Sequence, residues 1–394
     1  MIKRLHIKNY KALRDVTVEL TPIHALIGPN DAGKTSILQA LYAICQSVDH
    51  NIHDSFPGLW NGRDLVWNEA TDREIEISVT VGLATEDVCY SIRCGFPATG
   101  RDMRLVHEGV TRNGTAAALS PHAIQSLLFR LGESQAPEVP TEVGSEIAQG
   151  LRLALRGVHW HRWDPRFLAL PNALDTRWRY RLEPTGFGLV RCLDDILGYD
   201  RSLFAELEQR FIQLFPEFRG IILQPQKAYL SNDIPTIGLP RLEERDGKGL
   251  AFHLAKGGEP LPAAQVSDGV LLVLAYLTIL HLPEPPRLLL VEEPENGIHP
   301  ERLEKIIAVL REVIDRRRHT QIVMTTHSPY MVDLLKPEEV TLCCKGRDGA
   351  VNTRRLSDIP RVQQQLDLFR LGEIWTGEGD EALAGEPPLA TGSP

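Results

Sequence analysis

Gly28-Pro29-Asn30-Asp31-Ala32-Gly33-Lys34-Thr35 is the stretch whose reading decides the fold. A short apolar run, His24-Ala25-Leu26-Ile27, leads into it, and a helix-like stretch, Ser36-Ile37-Leu38-Gln39-Ala40-Leu41-Tyr42, leads away. Strand, glycine loop and helix in that order make a phosphate cradle, because backbone N–H groups at a helix N-terminus have no partner inside the helix and point at an anion. In such a cradle Lys34 reaches the β- and γ-phosphates of a nucleotide, Thr35 places its hydroxyl on Mg2+, and Gly28 and Gly33 allow close backbone approach. Asn30 and Ser36 complete the expected phosphate-side set.

Phosphoryl chemistry needs a second element, an acidic pair at the end of an apolar strand. Leu288 to Val291 is fully apolar and runs into Glu292-Glu293-Pro294. One carboxylate there holds the metal through its water shell, and the other orients the attacking water. Two adjacent carboxylates at the end of a buried strand are costly as mere structure, since an ionised carboxylate in a low-dielectric site needs a partner.

Two further pieces follow the same logic. Ser267-Asp268-Gly269 opens a helix, Val270 to Leu280; taken alone it reads as an N-cap. Thr326-His327-Ser328-Pro329 follows a strand, Ile322 to Thr325, and puts a histidine at a strand end. With IKRLHIKNYKAL at the start, GPNDAGKTS, VSDGVLLVLAYL, LLLVEEPENGIHP and TTHSPYMVDLL, the chain resembles the RecF/SMC-like branch of ABC-type ATPases. Within it, the resemblance is to stand-alone AAA-family ATPases related to the ATPase half of OLD-family proteins, and it covers nearly the whole chain outside the tail.

The resemblance implies a set of roles. Lys34 and Thr35 serve phosphate and magnesium, Glu292 stands where the carboxylate that holds magnesium through its water shell stands, and Glu293 is the catalytic carboxylate. His327 senses the γ-phosphate, Ser267 and Gly269 complete the site of a second subunit, and Asn296 and Gly297 form the loop linking two sites. ATP and Mg2+ are the implied cofactors. A homodimer sandwiching two nucleotides head to tail is the implied working state. Two departures stand out. Glu292 replaces the more usual aspartate, and the magnesium-contacting glutamine of many relatives has no firm counterpart, Gln46 being a candidate only.

Length and composition agree with this class. With 394 residues the chain can hold one large domain or two, and 43% hydrophobic with 24% charged residues is ordinary for a globular protein. A formal net charge of −9 argues against coating nucleic acid or an anionic membrane with the whole surface. Cys45, Cys89, Cys94, Cys192, Cys343 and Cys344 form no C-x-x-C pair and read as reduced core residues. The N-terminus lacks a signal-peptide h-region and no run is long enough to span a bilayer, so the expected location is cytoplasmic, with no membrane partner.

The expected fold class is α/β, a P-loop NTPase of ABC-ATPase type with a mixed sheet, an antiparallel β-rich N-terminal lobe and an inserted helical subdomain. Alternation at Ile2 to Ile7, at Val16, Val18 and Leu20, at Ile75-Ile77-Val79-Val81 and at Val88-Tyr90-Ile92 gives the β-rich lobe, residues 1–100. Residues 101–226 form the helical insert, with helices over Ala123 to Leu131, Ser145 to Leu155 and Leu203 to Phe215. Residues 227–375 form the C-terminal lobe, closing with a hairpin around Gly346-Arg347-Asp348-Gly349. Residues 376–394, acidic, small and proline-rich, are expected to be disordered.

Inside the insert, His159-Trp160-His161-Arg162-Trp163 and Arg177-Trp178-Arg179-Tyr180-Arg181 interleave aromatics with arginines. That composition suits a surface contacting DNA through Arg177, Trp178, Arg179 and Arg181, and it equally suits half-buried tryptophans packing a helix interface. His159 and His161 hint at metal without a third ligand nearby. The expected function is an ATP-hydrolysing dimer that switches DNA or a partner effector, in DNA repair or antiviral defence. The alternatives are an OLD-like subunit needing a separate nuclease, no D-x-D following His327, and an ATP-independent DNA-binding module. A transporter motor fits less well, because the signature is shortened.

Overall fold

Alternating apolar residues near the N-terminus have one use, to bury one face of a sheet. A computed structural model describes residues 1–58, 62–71, 73–84, 86–96, 103–119, 124–133, 137–174, 179–231, 242–296, 298–316 and 320–385. The chain divides into two compact units. One comprises Met1–Val158, Arg287–Leu290 and His319–Pro394, and the other His159–Pro286 and Val291–Arg318.

In the first unit the alternating segments build an antiparallel six-stranded sheet. Its order is Leu13–Glu19, Ile2–Tyr10, Glu74–Gly82, Asp87–Gly95, Arg104–Arg112 and Thr115–Leu119. Ile7 pairs with Ile77 and Ile77 with Ile92, so one column of buried side chains crosses three strands. The last two strands fall in the stretch read as the start of a helical insert. There the alternation is weak, RLVHEGVTR and TAAAL, and the sheet edge recruits them in turn, Arg104–Arg112 pairing with Asp87–Gly95 and Thr115–Leu119 with Arg104–Arg112. Of the predicted helices, Ser145–Leu155 has the expected bounds, Leu203 to Phe215 becomes Arg201–Leu214, and Ala123 to Leu131 shrinks to Leu127–Arg130.

The second sheet of this unit carries the glycine loop. Its strands run Val351–Arg355, Val340–Lys345, Ile23–Ile27, Gln321–Thr325 and then Leu288–Glu292, whose first three residues belong to this unit. Ile23–Ile27 is buried along its whole length and parallel to both neighbours, with Leu26 opposite Thr325 and Ile27 opposite Leu342. The predicted closing hairpin is present as Val340–Lys345 and Val351–Arg355. Part of the tail expected to be disordered is ordered: Asp380–Gly385 is helical, its Leu383 is buried, and Trp375 Nε1 donates to Asp380 Oδ1 at 2.8 Å. Burial of one leucine and one tryptophan contact offset the low hydrophobicity that suggested disorder. Residues 386–394 lie outside the described residues.

His24, central in the fully buried strand, accepts or donates at both ring nitrogens, to Thr21 Oγ1 at 3.1 Å and Thr341 Oγ1 at 2.9 Å. Burial pushes its pKa down to about 3, so it folds neutral. Between pH 3 and 6.5 the unfolded chain binds a proton that the folded one refuses, so stability rises with pH. The contribution is complete above pH 6.5 and about 2 kcal/mol is lost by pH 5. Urea midpoints measured from pH 7 to 5 should fall accordingly for this unit, and His24→Gln should flatten the slope by about one proton. An unchanged slope would show that His24 titrates normally.

In the second unit a long hairpin, Phe218–Ser231 with Leu242–Leu254, packs with the helices Leu189–Tyr199 and Arg201–Leu214. Phe211, Phe215, Phe218 and Phe252 form its aromatic centre, with ring centroids 5.1–5.7 Å apart. The helix Asp268–Leu280 is buried at every position from Gly269 onward, so its amino end alone faces solvent.

Candidate functional site

In the first unit the phosphate cradle starts where the buried strand ends. Gly28 has φ 128, and a Cβ there would lie 2.1 Å from the Cys343 carbonyl oxygen on the neighbouring strand. Gly33, at φ 81, precedes the helix Lys34–Gln46 and occupies its N-cap position, where it has no side chain to cap with. A Cβ on Gly33 would meet Val351 Cγ2 at 2.7 Å. Asp31, also at positive φ (66), is tied to the strand beside the loop, because Lys345 Nζ donates to its carboxylate at 2.6 Å.

Lys34 is buried, and its ammonium donates to the carbonyls of Gly28 at 2.8 Å and Pro29 at 2.7 Å. The loop thus folds around a cation at its own mouth. Burial pushes the adjacent Cys343 thiol up to about 12, the Lys34 charge opposing it, so this cysteine stays protonated. Asn30 and Thr35 are exposed and Ser36 is half-buried at the same helix start.

The predicted histidine arrives on the same edge. Thr326 N donates to Leu26 O at 3.1 Å, so Thr326 runs alongside the last residues of the cradle strand, and His327 emerges half-buried beyond it. Thr326 Oγ1 accepts from Ser328 N at 3.0 Å and fixes the turn. Ligands of open α/β sheets bind outside the carboxyl ends of the strands, where these residues stand. Gln46 does not join them: it closes the helix that Lys34 opens, about 18 Å along the axis, with its side chain engaged by Tyr42.

In the second unit, Glu292 is the last residue of its strand and Glu293 leaves the ladder with φ 48, a conformation uncommon for a side-chain-bearing residue and frequent at functional positions. Both are half-buried. The Arg162 guanidinium stands 3.9 Å from Glu293 Oε2. Asn296 N donates to Glu293 O at 3.0 Å, and Gly297 lies outside the described residues.

Ser267 occupies the N-cap position of its helix, yet its hydroxyl does not cap. It accepts instead from Arg302 Nη1 at 2.5 Å, and Arg302 crosses the helix start so closely that a Cβ on Gly269 would be 3.1 Å from its Cδ. Arg162 and Arg302 are the two site-side residues that sequence reasoning missed. Arg162 lay inside an aromatic stretch given another meaning, and Arg302 had no signal beyond its place in a helix.

The aromatic and arginine stretches are mixed in burial, with Arg162 and Arg179 exposed. His161 and Trp163 are buried, with Trp163 4.6 Å from Tyr276. Arg179 lies over the Tyr199 ring at 4.1 Å, and Arg181 stands 3.6 Å from Glu183. Arg177 and Trp178 lie outside the described residues. Among the described residues no group of three or more His, Cys, Asp or Glu side chains is arranged to hold a metal. Mg2+ ordinarily needs fewer, one or two carboxylates plus substrate phosphates.

A family model described as AAA domain, putative AbiEii toxin, Type IV TA system, matches residues 166–333, and one described as AAA ATPase domain matches residues 1–113. OLD nuclease of Thermus scotoductus (strain ATCC 700910 / SA-01) is 25% identical over 404 residues, covering 97% of this chain and 70% of that protein. An SMC head solved in complex with the C-winged helix domain of ScpA shares the fold, with a TM-score of 0.54 at 13% identity, over 90% of this chain and 98% of that one.

Proposed function

We propose that this chain, whose residues 166–333 and 1–113 match AAA-type domain models and which resembles OLD nuclease in sequence, binds and hydrolyses ATP as a head-to-tail dimer with two nucleotides sandwiched between subunits. The observation that carries the proposal is the cradle: a buried ammonium on Lys34, two glycines with positive φ, and a glycine at the N-cap of the helix that follows, with His327 at the same strand edge. Asn30, Gly33, Lys34 and Ser36 hold the phosphates, and His327 reads the γ-phosphate.

Mg2+, when bound, neutralises charge on the β- and γ-phosphates, and Thr35 and Glu292 are the residues that would hold it. Glu293 accepts the proton of a water whose oxygen bonds to the γ-phosphorus. The bond from that phosphorus to the bridging oxygen breaks, leaving ADP and phosphate. That Lys34 and Glu293 serve one nucleotide rests on the order of the motifs. Ser267 and Gly269 act on the nucleotide of the second subunit. The solvent-facing amino end of their helix supports this role, since everything after it is buried.

The dimer acts as a switch on DNA or on a partner effector such as a separate nuclease, in repair or defence, and works in the cytoplasm. No described helix is long and apolar enough to cross a membrane. The client is proposed from the resemblance alone.

Glu293→Gln tests the cycle. It should bind ATP, lose turnover and accumulate as a dimer on a sizing column with saturating ATP and Mg2+. If it elutes as a monomer under those conditions, the sandwich is wrong.

A further inference from the structure

A glutamate that activates one water must be aimed, because a misplacement of about 1 Å costs on the order of 100-fold in rate. The Glu293 backbone is set by its positive φ and by the Asn296 N–H donated to its carbonyl, but neither fixes the carboxylate at the end of three rotatable bonds. A cation stands beside that carboxylate, Arg162, with Nη2 3.9 Å from Oε2.

Arg162 itself is firmly seated. Its N–H donates to Pro184 O at 2.9 Å, and that of Asp164 to Thr185 O at 2.9 Å. Its neighbours His161 and Trp163 are buried with rings 5.0 Å apart, and Trp163 continues onto Tyr276 at 4.6 Å, in the helix that starts after Ser267. The Arg162 side chain is nevertheless 66% exposed and that of Glu293 31%. An exposed pair at that separation adds little to stability, so folding does not explain it.

We infer that Arg162 is a positioning residue for Glu293: the guanidinium orients the carboxylate for water attack, and the His161–Trp163–Tyr276 stack holds the arginine stem in place. The inference rests on Glu293 being the catalytic carboxylate. The planar fork of an arginine suits a carboxylate, and a lysine reproduces the charge without the fork.

Steady-state ATP hydrolysis and binding of a fluorescent ATP analogue, both with Mg2+, test it on wild type, Arg162→Ala, Arg162→Lys and Glu293→Gln. Arg162→Ala should lower kcat about 100-fold with analogue affinity unchanged within about twofold. Arg162→Lys should recover part of that loss, and guanidinium ion added to the buffer should raise the rate of Arg162→Ala but not of wild type. Unchanged or raised kcat in Arg162→Ala, with Glu293→Gln inactive, overturns the positioning role. So does an equal loss in Ala and Lys variants accompanied by a lower thermal midpoint, which marks a packing role. A Glu293→Gln protein that hydrolyses ATP like wild type removes the premise, and this inference with it.

Discussion

Gly28→Ala should abolish nucleotide binding and lower the stability of its unit by about 4 kcal/mol. Gly28 sits at φ 128, outside the left-handed well that asparagine or aspartate tolerate, and alanine there is strained before any contact is considered. The new Cβ would also lie 2.1 Å from the Cys343 carbonyl oxygen and 3.1 Å from its carbon. Those atoms are backbone of a strand registered to the cradle strand at Leu342–Ile27, so relief requires separating two central strands. Gly58→Ala is the control: φ is 91 there, but the Cβ meets no described atom within 4 Å, and a cost of about 1 kcal/mol is expected. Urea unfolding and binding of a fluorescent ATP analogue measure both effects. A Gly28→Ala protein that binds and unfolds like wild type would show that the loop does not depend on this approach.

Lys34→Ala should weaken ATP binding by at least about 100-fold, roughly 3 kcal/mol, with little change in folding stability. In the free protein the ammonium is held by the Gly28 and Pro29 carbonyls. Alanine leaves two carbonyl dipoles turned towards the place where the phosphates are proposed to lie, so a phosphate loses an attractive charge and meets repulsive oxygens. Burial already makes the lysine costly, which is why its removal should not unfold the protein. Lys34→Arg should not rescue binding, because the longer planar group does not fit a pocket formed around a compact ammonium. Calorimetric titration decides the matter. Affinity within about threefold of wild type in Lys34→Ala would remove the phosphate reading.

Sequence and structure divide the remaining work along a physical line. The cradle was legible because it is contiguous: eight residues set strand exit, turn and helix start by local backbone preference. The acidic strand end, the strand before His327 and the hairpin at Gly346 to Gly349 were legible for the same reason, each being a periodic run with a turn signal beside it. Where the determinant was a pairing or packing partner rather than the segment's own periodicity, local pattern failed. Arg104–Arg112 and Thr115–Leu119 became strands because an existing sheet edge offered them hydrogen bonds. Asp380–Gly385 became a helix because Leu383 found a buried place despite a tail composition that resembles disorder.

The site shows the same division at the level of side chains. The sequence by itself nominated the residues proposed to bear the chemistry, Lys34, Thr35, Glu292, Glu293, Ser267 and His327, since residue type and neighbouring backbone carry that information. Only the tertiary structure decided what holds two of them. Arg162 stands by Glu293 across 131 positions (293 minus 162), and Arg302 rather than the helix end takes the Ser267 hydroxyl. Such contacts depend on how helices and strands pack, and packing is set by shape and burial summed over distant residues, which no local pattern records.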